Sequence, residues 1–160
     1  STVLQHLAAR GFATVAEPGR RIVRHELRTG GEALSWLDPS HFARRCIQLA
    51  RTDLGGHDDS RWRFFDRGLV DVDTALRHHG GVGACTVDEL KSYHHRVFLT
   101  PPWRALYAVG DERQLGFAEA VDEYSRLLNA YRGLAYTVTV LPKVDAAQRA
   151  DMILTELELI

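Results

Sequence analysis

Short runs of β-forming residues alternate along this chain with segments of helical periodicity, and this alternation constrains the fold more than any other feature. Strands separated by helices cannot be joined by tight hairpins, so the order predicts parallel strands with crossover helices. Residues 12–15, 62–65, 96–99 and 136–141 read as the strands. Val3, Leu4, Leu7 and Ala8 recur at helical spacing and stop at Gly11, a C′ glycine. A second helix spans 19–28 and is broken by Gly30-Gly31. Asp38-Pro39 pairs an N-cap with a first-turn proline, ahead of Phe42, Cys46, Ile47 and Leu49. A helix near 71–79 ends in Gly80-Gly81-Val82-Gly83, and Thr86 with Glu89 forms a capping box for a helix over 87–93. A short helix and a charged turn at Asp111-Glu112-Arg113 precede a long helix over 117–132 that Gly133 ends. Asp145 caps the last helix, with Met152, Ile153, Leu157 and Ile160 at helical positions. The expected fold is α/β, a three-layer sandwich around a parallel sheet.

The segment 61–71, Arg-Trp-Arg-Phe-Phe-Asp-Arg-Gly-Leu-Val-Asp, carries the most chemistry. Its aromatic run reads as a buried parallel strand cut off by Asp66-Arg67-Gly68, which presents an acid and a base at a glycine turn. In open α/β sheets, ligands bind in the crevice outside the strand C-termini. An aspartate there can hold Mg²⁺ directly or through water, and an adjacent arginine can pair with a phosphate. The segment therefore points to nucleotide chemistry.

Bulk properties exclude several alternatives. At 160 residues with 45% hydrophobic and 26% charged content, the chain fits one soluble domain. A net charge of −1 gives no long-range attraction to nucleic acid or to an anionic membrane, and leaves room only for a local basic patch. Cys46 and Cys85 are isolated, with no Cys-x-x-Cys spacing, so neither a zinc site nor a disulfide framework is indicated, and their sparsity fits the cytoplasm. No apolar stretch approaches ~18 residues, so no membrane span is expected. Of the eight histidines, His78-His79 and His94-His95 are adjacent pairs, which diverge on a helix and do not chelate as i,i+4 pairs do.

Five motifs in order carry a family resemblance: residues 8–22 (Ala-Ala-Arg-Gly-Phe-Ala-Thr-Val-Ala-Glu-Pro-Gly-Arg-Arg-Ile), 64–68 (Phe-Phe-Asp-Arg-Gly), 96–103 (Arg-Val-Phe-Leu-Thr-Pro-Pro-Trp), 111–114 (Asp-Glu-Arg-Gln) and 131–142. Together they resemble the P-loop nucleoside/nucleotide-kinase-like proteins, closest to the AAA-domain predicted-ATPase group related to ribosylnicotinamide kinase domains. The resemblance spans nearly the whole chain and implies one kinase-like domain over 1–160 with a lid near 104–116. The family signature Gly-x-x-x-x-Gly-Lys-Ser/Thr is not in this sequence. Ser1 matches the hydroxyl residue after that Lys, at the head of the helix that leaves the loop. The expectation is that a strand and a glycine-rich loop precede Ser1 in the native polypeptide, because a central strand is needed to pair both of its neighbours.

The resemblance implies ATP or GTP with Mg²⁺ as cofactors, and as partners a nucleotide and a small nucleoside-like acceptor. Ser1 and Asp66 would lie on the Mg²⁺ side, with Thr2 near a phosphate; otherwise Ser1 and Thr2 are an ordinary helix start. Asp66 is alternatively a turn residue paired to Arg67. Glu17, which follows the 12–15 strand, would contact the acceptor or act as a base; its plain alternative is an acid favourable to the dipole of the next helix. Arg20 and Arg21 would read an anionic acceptor, and Arg67 would neutralise transferred phosphate. Arg113 resembles a lid arginine, with Arg104 a second candidate, and Pro142 begins the loop that resembles a base-holding segment. The enzyme so described is a phosphotransferase or NTPase; the alternatives are a nucleotide-binding regulatory module with little turnover, or a diverged domain that binds nothing.

Overall fold

A computed structural model describes residues 2–55, 60–107 and 111–160, with the backbone alone at 106, 107 and 111–115. The chain divides into two compact units, Ser1–Leu90 and Lys91–Ile160. The first contains α1 (Thr2–Ala9), β1 (Ala13–Val15), α2 (Pro18–Thr29), α3 (Pro39–Leu54), β2 (Arg63–Phe65), α4 (Leu69–Gly80) and α5 (Val87–Leu90). The second contains β3 (Arg96–Leu99), a 3-10 turn at Arg104–Tyr107, α6 (Asp111–Gly133), β4 (Thr137–Val140) and α7 (Ala146–Glu156).

Local chemistry sets most of these boundaries. Asp38 accepts the His41 N–H at 2.9 Å and Asp145 accepts the Gln148 N–H at 2.8 Å, each satisfying a donor that the first helical turn cannot pair internally. Thr86 and Glu89 exchange both bonds of a capping box, at 3.2 and 2.9 Å. Gly30 ends α2 in the left-handed region at φ 72°, where a Cβ would be strained.

The strands are parallel, as their order predicts. β1 pairs with β2 in the register Ala13↔Arg63, Thr14↔Phe64 and Val15↔Phe65, and β3 pairs with β4 from Arg96↔Thr137 to Leu99↔Val140. They form two separate two-stranded sheets among the described residues, one in each unit, where a single sheet was expected. With one hydrogen-bonded neighbour apiece, these strands are incompletely covered. β2, expected to be buried, is half-buried at all three positions.

Other expectations are corrected at element ends. The charged run 111–113 is the first turn of α6 and not a turn between helices; acids at a helix start complement its dipole. The helix after the capping box stops at Leu90 and not at Tyr93, because Ser, Tyr and His are weak helix formers. α4 begins at Leu69, where the Asp71 carboxylate accepts the Gly68 N–H at 2.9 Å. Ile160 lies past the end of α7 and is exposed.

Leu7, Ile22, Ala43, Ile47, Leu69 and Leu76 are buried in the first unit, and Leu99, Leu127, Leu141, Ile153 and Leu154 in the second. The buried carboxylates are paired. Glu26 on α2 accepts the Ala33 N–H at 3.1 Å and pairs with Arg45 of α3 at 3.2 Å. Asp73 accepts from the N–H groups of Ala84 (2.7 Å) and Cys85 (3.0 Å) and from Arg77 Nε (2.8 Å), which fixes the loop between α4 and α5. Among the described residues, no helix is long and apolar enough to cross a membrane.

Candidate functional site

The register of β1 and β2 decides what meets at their C-terminal ends. Val15 lies opposite Phe65, and the Asp66 N–H donates to the Val15 carbonyl at 2.9 Å, extending the ladder past the strand. Glu17 and Arg67 each lie two residues beyond that last pair, so parallel pairing delivers both to one rim. There Arg67 Nε lies 3.6 Å from Glu17 Oε1, and Arg20 Nε lies 3.1 Å from Glu17 Oε2. Both oxygens of the Glu17 carboxylate therefore face a guanidinium. Its side chain is 23% exposed and that of Arg67 38%, so solvent and ligands can reach the pair.

The backbone here is specialised. Arg67 adopts φ 65°, in the left-handed region, which costs a non-glycine residue about 1–2 kcal/mol. Such strain is retained where surrounding contacts determine the conformation; here the preceding residue is in the β1–β2 ladder and the following one donates to Asp71. On the other side of Glu17, a Cβ at Gly19 would stand 3.3 Å from the Phe42 ring and 3.4 Å from Glu17 Oε1. Glycine thus lets α2 start close against α3.

Cys46, one helical turn after Phe42 on α3, completes the surroundings. Burial, and secondarily the Glu17 carboxylate, push its thiol up to about 12 against the opposing pull of Arg45. The thiol is protonated at neutral pH and is a neutral wall rather than a nucleophile. Phe42 and Cys46 stand out in the sequence only as apolar positions on a helix; nothing in their spacing marks them as neighbours of Glu17.

The remaining candidates are placed as follows. Asp66 is half-buried at the end of β2, on the same rim as Glu17. Arg21 points elsewhere, pairing with Asp53 of α3 at 2.6 Å. Thr2 is exposed at the start of α1, and Ser1 lies outside the described residues. Arg113 sits in the first turn of α6, but its side chain is outside what is described. Arg104 lies with its guanidinium 4.6 Å from the Phe117 ring centroid. In the second unit Pro142 follows β4, and its carbonyl accepts from Arg149 Nε at 2.9 Å while the Arg149 guanidinium lies 5.8 Å from the Trp103 centroid. Arg149 thereby ties the ends of β3 and β4 together, a contact that an isolated arginine in a helical sequence does not advertise.

No group of three or more His, Cys, Asp or Glu among the described residues could hold a metal ion by itself. The histidine pairs contact each other, His78–His79 with ring centroids 5.0 Å apart and His94–His95 4.2 Å apart.

A protein-family model described as an AAA domain matches residues 1–149. No curated protein and no solved structure matches the chain.

Proposed function

Because the chain belongs to that AAA-domain family, a P-loop NTPase-like group of nucleotide-binding domains, we propose that it transfers phosphoryl groups from ATP or GTP, with Mg²⁺, to a small nucleoside-like acceptor or to water. One observation supports this most: the parallel register brings Glu17 and Arg67 together beside Asp66 at the strand-end rim. Phosphoryl transfer requires positioning and charge neutralisation more than covalent chemistry, and the rim supplies both signs of charge. Asp66, a half-buried carboxylate, suits a hard cation that takes oxygen ligands from one or two acids and the remainder from water and phosphate. With Ser1 it would hold Mg²⁺, which would supply charge neutralisation of the phosphates when bound.

In this proposal Glu17 receives the acceptor, by hydrogen bond or as the base for its hydroxyl, and Arg20 and Arg67 orient it. The Glu17–Arg67 contact is long, so an incoming phosphoryl oxygen can draw Arg67 away at little cost. Thr2 would contribute to the nucleotide site from the start of α1. The proposed architecture is one kinase-like domain with three-layer α/β/α packing and a lid at 104–116.

A second proposal is favoured by the same carboxylate. With both oxygens facing arginines, the Glu17 carboxylate is engaged by the protein's own side chains, as suits a nucleotide-binding regulatory module with little turnover. The two are separated by thermal melting with ATP and GTP, followed by phosphate and nucleoside-diphosphate release over a panel of nucleosides. Mg²⁺-dependent stabilisation with acceptor-dependent turnover supports the enzyme. Stabilisation without turnover for any acceptor supports the module, and no nucleotide-dependent shift refutes both.

A further inference from the structure

The net charge of −1 conceals a local concentration of positive charge on the first unit. On α2, Pro18, Ile22 and Glu26 are buried, whereas Arg20, Arg24 and Arg28, each two positions further on, are exposed. Two positions turn about 200° around an α-helix, so the arginines run down the face opposite the buried stripe, about 6 Å apart along the axis. Like charges at this spacing repel. Arg20 is held by Glu17, but Arg24 and Arg28 have no ion pair among the described residues.

Apolar side chains stand at the C-terminal end of this ladder. Leu27 is 65% exposed, and in the loop from α2 to α3 Trp36 and Leu37 are each 61% exposed. Fraying does not account for this exposure. Glu26 holds the loop through the Ala33 N–H, and the N–H groups of Leu37 and Asp38 both donate to the Leu34 carbonyl, at 3.0 and 2.9 Å. The turn thus presents Trp36 and Leu37 to solvent on a fixed backbone. Two exposed acids lie in this loop, Glu32 and Asp38, the latter capping α3.

We propose that this surface docks the protein onto an anionic phospholipid membrane, Arg24 and Arg28 meeting headgroup phosphates while Trp36 and Leu37 enter the interfacial layer. Charge complementarity requires an anionic partner, and the apolar residues select lipid. A tryptophan at the headgroup level keeps its ring in apolar surroundings and its N–H hydrated, and Leu27 and Leu37 gain burial there. A nucleic acid would stack on Trp36 but offer the two leucines nothing equivalent.

The test is co-sedimentation of the full chain with phosphatidylcholine vesicles, with and without phosphatidylserine, over a range of salt. Binding is expected only with phosphatidylserine, weakening as salt rises, with a blue shift of tryptophan emission. Arg24→Gln/Arg28→Gln should bind about 30-fold more weakly, from ~5-fold per arginine near an anionic surface. Trp36→Ser/Leu37→Ser should lose both binding and the blue shift, with each variant keeping the parent's melting temperature. Absence of binding, equal binding to both vesicle types, or no response to either double substitution would overturn the proposal. Displacement from the vesicles by equimolar single-stranded or duplex oligonucleotide would overturn it in favour of nucleic acid.

Discussion

At the scale of single residues, Arg67 joins strain to charge. Glycine at this position removes the left-handed penalty of about 1–2 kcal/mol but enlarges the entropy of the unfolded chain by a comparable amount. Arg67→Gly is therefore expected to change unfolding free energy by less than about 1 kcal/mol. Turnover should fall about 10- to 150-fold, the kinetic equivalent of ~1.5–3 kcal/mol in charge-assisted bonds. Urea denaturation beside steady-state kinetics checks both halves, and a large stability loss with unchanged kinetics would contradict them. Cys46 gives a second expectation. Buried, and with its thiol pushed up to about 12, it should resist iodoacetamide at neutral pH until the protein unfolds, as read by mass spectrometry. The identity of Asp66 as a strand-end acid is legible in the sequence, since an aromatic run followed by Asp-Arg-Gly marks a strand and its stop. That Arg67 turns to Glu17 is not legible, because it depends on a register between segments distant in the chain.

At the scale of elements, the helices follow their caps. Removing the Asp38 carboxylate leaves the His41 N–H dependent on water, so Asp38→Ala should destabilise by about 1 kcal/mol in a denaturant titration. The junction of α3 with α5 adds a pH dependence. Arg51 grips Glu89 through Nε at 2.7 Å and Nη2 at 3.1 Å, and this holds the Glu89 carboxyl down at about 2 instead of 4.5, with the Thr86 N–H assisting. A depressed folded-state value means that the stabilisation is complete above about 4.5 and is lost as pH falls toward 2. Asp73 adds to the same acid loss; burial pushes it upward, but its bonds from Ala84, Arg77 and Cys85 prevail and lower it. Glu89→Gln should flatten the fall in denaturation midpoint across this acid window, and an identical pH profile for variant and parent would show that the junction contributes nothing. The capping box that makes Glu89 available is readable from Thr86-Val87-Asp88-Glu89, whereas its partner Arg51 lies on another helix and is not.

At the scale of the whole molecule, the chain resolves into two units, each with its own parallel strand pair and buried leucines. Leu76 and Leu154 are both fully buried, so Leu76→Ala and Leu154→Ala should each cost about 2–5 kcal/mol, measured by denaturant unfolding. By itself the sequence determined the α/β class, the parallel sense of the strands, the caps at Asp38, Thr86 and Asp145, and the acid and base that close β2. These are properties of neighbouring residues, fixed by hydrogen bonds and periodicities only a few positions long. Tertiary structure decided that the strands pair as β1 with β2 and β3 with β4, that Glu17 lies between Arg20 and Arg67, and that Arg21 turns to Asp53. Those outcomes rest on strand register and helix packing, which bring distant segments together and leave no local pattern to read.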